Sequence, residues 1–172
     1  DRGWSVSRKH EMWVTLSIGF IFFFIFLYAS FFTIQQQKVA VIERFGKFKK
    51  LASAGLHTRI PFIDHIIGTV SLRIHQLDVH VETKTRDNVF VNIMVSVQYQ
   101  VISEKVFQAF YSLEDPVKQI QAYVFDVIRA KVPNISLDDL FAKKDEIAID
   151  VKQELHDTMS GFGYEILKTL VT

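Results

Sequence analysis

From Met12 to Ile34 the chain reads MWVTLSIGFIFFFIFLYASFFTI, a run without charge and without proline. At about 1.5 Å of rise per residue such a run reaches ~34 Å as a helix, enough to cross a hydrocarbon core of about 30 Å with modest tilt. A secretory leader is the main competing reading, but its apolar region should cover roughly 7–15 residues and end at an A-x-A-like site. Neither holds here. A re-entrant hairpin is disfavoured because the first proline is Pro61, and the single Gly19 is tolerable in a membrane helix. The expectation is a single retained span over 12–34, containing Met12, Trp13, Phe20, Phe24, Tyr28 and Ile34, with Trp13 and Tyr28 placed as interfacial aromatics.

The flanks of this run suggest an orientation. Arg2, Arg8 and Lys9 precede it, whereas Lys38, Arg44, Lys47, Lys49 and Lys50 follow within a short distance. An excess of basic residues marks the cytoplasmic side, so the residues from Lys38 onward are expected there. The whole chain carries a formal charge of +1, with basic and acidic residues interspersed, which leaves no electrostatic footprint for nucleic acid. Cysteine is absent, which removes disulfides, a thiolate nucleophile and Cys-based zinc sites from consideration. The chain opens on Asp1 and stops at Thr172 inside a strand-like run, which reads as a processed or truncated protein.

Beyond the span, 172 residues with 49% hydrophobic content leave room for one folded domain with a real core. The expected organisation is a flank at 1–11, the span at 12–34 and a domain at 35–172, with room for a subdivision near residue 75. Val39 to Phe45 is strand-like, Gly46 permits a turn, and Lys47-Phe48-Lys49-Lys50 returns as a basic arm, so a hairpin is predicted. Pieces around Ala54–His57 and Ile60–Asp64 read as turn and strand, with Pro61 at an edge or bend. Leu77, Val79, Val81, Thr83 and Thr85 share one face of a strand, and Asp78, His80, Glu82 and Lys84 share the other. After Arg86-Asp87-Asn88 the strongest period-two signal follows: Val91, Ile93, Val95, Val97, Tyr99 and Val101 alternate with Asn92, Met94, Ser96, Gln98 and Gln100, giving a long antiparallel hairpin.

Helices follow. Ser103 is a candidate N-cap for a short segment through Leu113. Asp115 with Pro116 at the first helical position starts a second helix, carrying Val117, Ile120, Val124, Val127 and Ile128 at helical spacing and ending before Pro133. Ser136 and Asp139 resemble a capping box, and Leu140, Ala148, Val151, Leu155 and Met159 form an apolar stripe that runs to Gly161-Phe162-Gly163. Glu165 to Val171 looks like a returning strand. Strands, then helices, then a strand make an α+β fold.

The segments VIERFGKF, AGLHTRIPFID, LDVHVETKTRDNVFVNIMVSVQYQV and IQAYVFDVIRAKVPNISLDDLFAKKDEIA resemble the SPFH (stomatin, prohibitin, flotillin), or band 7, domain. The wording is most similar to the hypersensitive-induced-reaction branch, over essentially all of Gln35 to Thr172. Two features depart from that pattern: Ala54-Gly55 stands where Pro-Gly is usual, and a span stands where that branch relies on lipidation. The long alanine- and glutamate-rich helix that normally follows the domain is missing, so the protein is expected to continue past Thr172. The resemblance implies a non-enzymatic, single-pass membrane scaffold of a bacterial inner membrane or equivalent organelle membrane. Such proteins assemble as homo- or hetero-oligomers into rings or cages, organise membrane microdomains and in some cases surround AAA-type membrane proteases.

A ring wall needs a rigid base, and only Gln35 to Lys38 separate the expected span from the hairpin. Phe45 and Phe48 are candidate headgroup-layer residues, and Lys47, Lys49 and Lys50 candidate contacts to anionic lipid, at roughly 1 kcal/mol per basic residue near the surface. The competing reading is a plain hairpin core with solvated lysines. On the long strand, Asn92, Met94, Ser96, Gln98 and Gln100 present neutral amides and one adaptable thioether, a face suited to a subunit contact. Equally open is a face that packs under the chain's own helices.

Catalytic sets are weak by comparison. His75 and His80 lie five apart on an extended stretch and face opposite sides. His57 and His65 near Asp64 have no ligand spacing to support a metal. Asp138, Asp139, Asp145, Glu146, Asp150, Glu154 and Asp157 share a helix with lysines, as a solvated, i,i+4-paired face would. No catalytic, metal or cofactor residue is assigned. The alternative function is a membrane-tethered hydrolase whose catalytic part lies beyond residue 172. Heptads past Thr172 would favour the scaffold, and a Ser/Lys or zinc motif the hydrolase.

Overall fold

The computed structural model describes the backbone from Gly3 to Thr172 and side chains from Arg8 onward; Arg2 of the expected upstream flank lies outside the described residues. The fold is α+β, as expected, and divides into two units. One comprises the residues up to Gln36 with Ala40–Thr69, the other Gln37–Val39 with Val70–Thr172.

In the first unit, helix α1 (Gly3–Ser30) begins well before Met12 and so absorbs most of the expected flank. Its Arg8–Ser30 segment is long and apolar enough to cross a membrane and is not buried by the protein. Hydroxyls within it are satisfied locally: Thr15 Oγ1 donates to the Glu11 carbonyl, Ser17 Oγ to Trp13 and Ser30 Oγ to Phe26. Each therefore enters an apolar surround without an orphaned donor.

The helix ends at Ser30 and not at Ile34, which corrects the expected span. Phe31–Ile34 form strand β1, antiparallel to β4 (Gly55–Thr58), with Phe31 opposite Thr58 and Ile34 opposite Gly55. Phe32 and Ile34 pack against the buried cluster of Ala40, Ile42 and Ala52, so their apolar character serves a protein core and not lipid. Strand β2 (Lys38–Arg44) and β3 (Lys47–Ala52) form the expected hairpin, with a register shift between Ile42 and Glu43. Its turn places both Phe45 and Gly46 at positive φ (53° and 75°), the conformation whose twist matches a tight hairpin. Strand β5 (Asp64–Ser71) completes the sheet in the order β3-β2-β5.

The second unit is a three-stranded antiparallel sheet, β6 (His75–Lys84), β7 (Phe90–Val101) and β8 (Tyr164–Val171), in that order. Asn88, in the left-handed region, turns β6 into β7. The period-two reading holds: Val79, Val81, Ile93, Val95, Val97, Tyr99 and Val101 are buried. Helices α2 (Val106–Tyr111), α3 (Pro116–Lys131) and α4 (Leu137–Met159) follow, and α3 packs on β6 while α4 packs on β8 and α3. Asp115 Oδ1 accepts the Lys118 N–H and Ser136 Oγ accepts the Asp139 N–H, as N-caps do. Ser103 does not cap; it opens a 3-10 turn over Ser103–Lys105, and the helix expected through Leu113 shortens to α2. Gly163, at φ 88°, turns α4 into β8. A Cβ there would lie 2.5 Å from the Lys105 carbonyl oxygen, so the position admits glycine alone.

Candidate functional sites

The base of the first unit is organised by one buried carboxylate. Asp64, 2% exposed, accepts from Arg44 Nε at 2.7 Å, Arg44 Nη2 at 3.2 Å, Lys49 Nζ at 3.0 Å and the Ile60 N–H at 3.0 Å. The hydrogen bonds from Arg44 and from the Ile60 backbone hold its pKa well below the usual carboxylate range, against the opposing effect of burial. Asp64 is thus an internal ionic centre, and His57 Nε2 lies 2.6 Å from the Ser53 carbonyl oxygen. Lys49 is committed to Asp64, which takes it out of the set available to anionic lipid. Lys50 Nζ donates to the Thr58 carbonyl at 3.4 Å, and Lys47 is exposed.

Asp64 also fixes the turn expected around Pro61. The Ile63 and Asp64 N–H groups donate to the Ile60 carbonyl at 3.4 and 3.0 Å, which folds Ile60-Pro61-Phe62-Ile63 back on itself. Phe62 sits at φ 69° and is 91% exposed; Phe45, at the hairpin tip, is 79% exposed. A bulky residue in the left-handed region costs about 1–2 kcal/mol relative to an ordinary conformation, a position where glycine or asparagine would be free of strain. The signal was available in the sequence as a turn made almost wholly of large apolar residues. At the other end of this segment the Arg59 N–H donates to the Ser30 carbonyl at 2.8 Å and so caps α1. Met12, Trp13, Phe20, Phe24 and Tyr28 are all exposed along α1, with Phe20 and Phe24 ring centroids 4.6 Å apart.

In the second unit the helices occupy one face of the sheet, and the other stays open. Asn92, Asp78, His80, Glu82 and Lys84 are exposed, and Met94, Ser96, Gln98 and Gln100 are half-buried. The buried Val79, Val81, Ile93, Val95 and Val97 lie on the opposite face, against the helices. Within the sheet Ser96 stands opposite Asp78, and hydrogen bonds from Ser96 and Gln76 lower the Asp78 pKa. Gln100 Nε2 donates to Glu165 Oε2 at 3.0 Å, which leaves Asn92, Met94, Ser96 and Gln98 as the candidate contact set. On α4, Asp150 pairs with Lys131 of α3 and not with an i,i+4 neighbour. Among the described residues, no group of three or more His, Asp or Glu side chains is placed to hold a metal ion.

Residues 32–172, which form these strands and helices, match the model of the SPFH domain / Band 7 family. The chain belongs to this family. Its SPFH domain is 48% identical over 134 residues to hypersensitive-induced response protein 4 of Arabidopsis thaliana, a stretch that covers 77% of this chain and 46% of the relative. Identity to the mitochondrial stomatin-like protein 2 of Rattus norvegicus is 24% over 136 residues, 78% of this chain and 38% of the relative. An uncharacterized protein of Mycobacterium tuberculosis is 26% identical over 156 residues, 90% of this chain and 40% of the relative. The SPFH chain therefore matches less than half the length of these relatives.

Proposed function

We propose that this protein is a membrane-anchored SPFH scaffold whose subunits assemble, alone or with related subunits, into rings or cages that organise membrane microdomains. One observation carries this reading: an apolar helix of membrane-crossing length, uncharged from Met12 to Ser30, passes at Ser30 directly into the β-structure of a Band 7 domain. A flexible tether would let the domain tumble. Here the Arg59 to Ser30 bond and the β1–β4 pairing fix the domain's base to the helix end, as a wall standing on a bilayer requires.

Phe45, Lys47, Phe48 and Lys50 serve in this reading as the membrane-surface rim, and Asn92, Met94, Ser96 and Gln98 as the subunit contact. A ring of this kind can enclose or regulate a membrane AAA protease without chemistry of its own, and the reading assigns the chain no catalytic residue. Electron microscopy of the protein extracted in mild detergent is expected to show closed multi-subunit particles. The same preparation, freed of contaminating proteases, is expected to cleave no peptide. A monodisperse monomer would contradict the scaffold.

A further inference from the structure

We propose that the loop Arg59–Ile63 is a second membrane element, in which Ile60 and Phe62 enter the acyl boundary while the Arg59 guanidinium holds a lipid phosphate. The proposal rests on α1 as a membrane span and adds a second point of insertion to it.

Position comes first. The apolar stretch Met12–Ser30 is about 28 Å long at about 1.5 Å per residue, close to a hydrocarbon core of about 30 Å, so Ser30 stands at the core boundary. The backbone bond from the Arg59 N–H to the Ser30 carbonyl, 2.8 Å, sets Arg59 at the same level. Phe62 is three residues further and cannot lie more than about 11 Å away, since a chain spans at most about 3.6 Å per residue. The turn back to Ile60 shortens that reach, which keeps the loop within the headgroup layer or at its inner edge.

Chemistry agrees with position. Phe62 is 91% exposed in a backbone conformation disfavoured for its type, and Ile60 beside it is also exposed. Neither side chain contributes to the unit's buried cluster. The loop is nevertheless held firmly, since Asp64 binds the Ile60 N–H and is itself fixed by Arg44 and Lys49. A rigid turn with an exposed aromatic tip suits insertion into an interface better than folding.

Arg59 supplies the polar half. Its guanidinium lies over the Phe32 ring, 5.9 Å from the centroid, and its buried Nε–H finds no acceptor among the described residues. Arg59 as a whole is only half-buried, and a phosphate diester meeting the accessible part of its guanidinium would be taken in the two-pronged geometry that Arg favours. Arg44 and Lys49, by contrast, are neutralised within the protein.

The full chain in phosphatidylcholine vesicles provides the test, with Trp4 and Trp13 changed to phenylalanine and Phe62→Trp as reporter. Lipids brominated near the glycerol end of the acyl chain are expected to quench this reporter strongly, and aqueous iodide weakly. Arg59→Gln should lose most of the lipid quenching and Arg59→Lys should retain much of it. Inorganic phosphate added at matched ionic strength should change nothing; loss of quenching on its addition would assign Arg59 to a free anion and overturn the lipid site. A Phe20→Trp reporter separates the two levels of the account. If it is quenched by deeply brominated lipid while the reporter at position 62 responds only to iodide, the loop proposal fails and the span stands. If neither reporter is quenched by lipid, both fail.

Discussion

At the scale of single residues, Asp64 governs the first unit, because one carboxylate with almost no exposure binds two cations and a backbone amide that come from three stretches of chain. Its pKa in the folded protein is lowered, by Arg44 first and then by the Ile60 amide. The ionised form is therefore the one that stabilises the fold. That stability is fully present above the unfolded carboxylate pKa of about 3.9, and it is lost as pH falls below this value towards the folded pKa. Asp64→Asn should speed hydrogen exchange of the β2–β3 amides at neutral pH and abolish the acid-dependent loss of protection. The cost is expected at about 1–3 kcal/mol, below the ~3–5 kcal/mol of a fully buried pair, because the Arg44 and Lys49 side chains retain 35% and 30% exposure. Unchanged exchange in this variant, at both neutral and acid pH, would remove Asp64 from its central role.

At the scale of elements, α1 has a testable orientation. Arg8 and Lys9 lie before its apolar stretch, and Lys38, Arg44, Lys47, Lys49 and Lys50 lie after it. The expected arrangement puts the SPFH domain in the cytoplasm. In sealed vesicles of known orientation, protease should digest the domain only from the cytoplasmic face, and digestion from the opposite face would reverse the assignment. The elements also show what the sequence could and could not reveal. The β6–β7 hairpin was legible because a sheet with one buried face repeats every two residues, and α3 and α4 because Asp115 and Ser136 are local caps. The end of α1 was not legible: hydropathy scores Phe31–Ile34 like the helix before it, and only pairing with the distant Gly55–Thr58 makes a strand of it. The Arg44–Asp64–Lys49 centre was hidden for the same reason, since ion pairs across fifteen to twenty residues leave no periodic trace. Phe62 stood in plain view as an apolar turn residue, but its exposure depends on the backbone conformation that Asp64 imposes.

At the scale of the whole molecule, the proposed scaffold would assemble through the face of the β6-β7-β8 sheet that carries Asn92, Met94, Ser96 and Gln98. Neutral side chains dominate the middle strand of that face, and they can be desolvated at a contact without the large penalty of burying an ion. Gln100 is tied to Glu165 inside the subunit, so a charge placed there would disturb the fold as well as the contact. Met94 and Gln98 face His80 and Gln76 across the sheet, and substitution at these two positions tests the surface more cleanly. The native mass of the detergent-extracted protein, measured for the unaltered chain and for Met94→Glu with Gln98→Glu, is the most direct measurement. A closed multi-subunit particle that breaks into small oligomers in the double variant, with unchanged circular dichroism, is the predicted result. An identical particle mass for the two proteins would contradict assembly through this face.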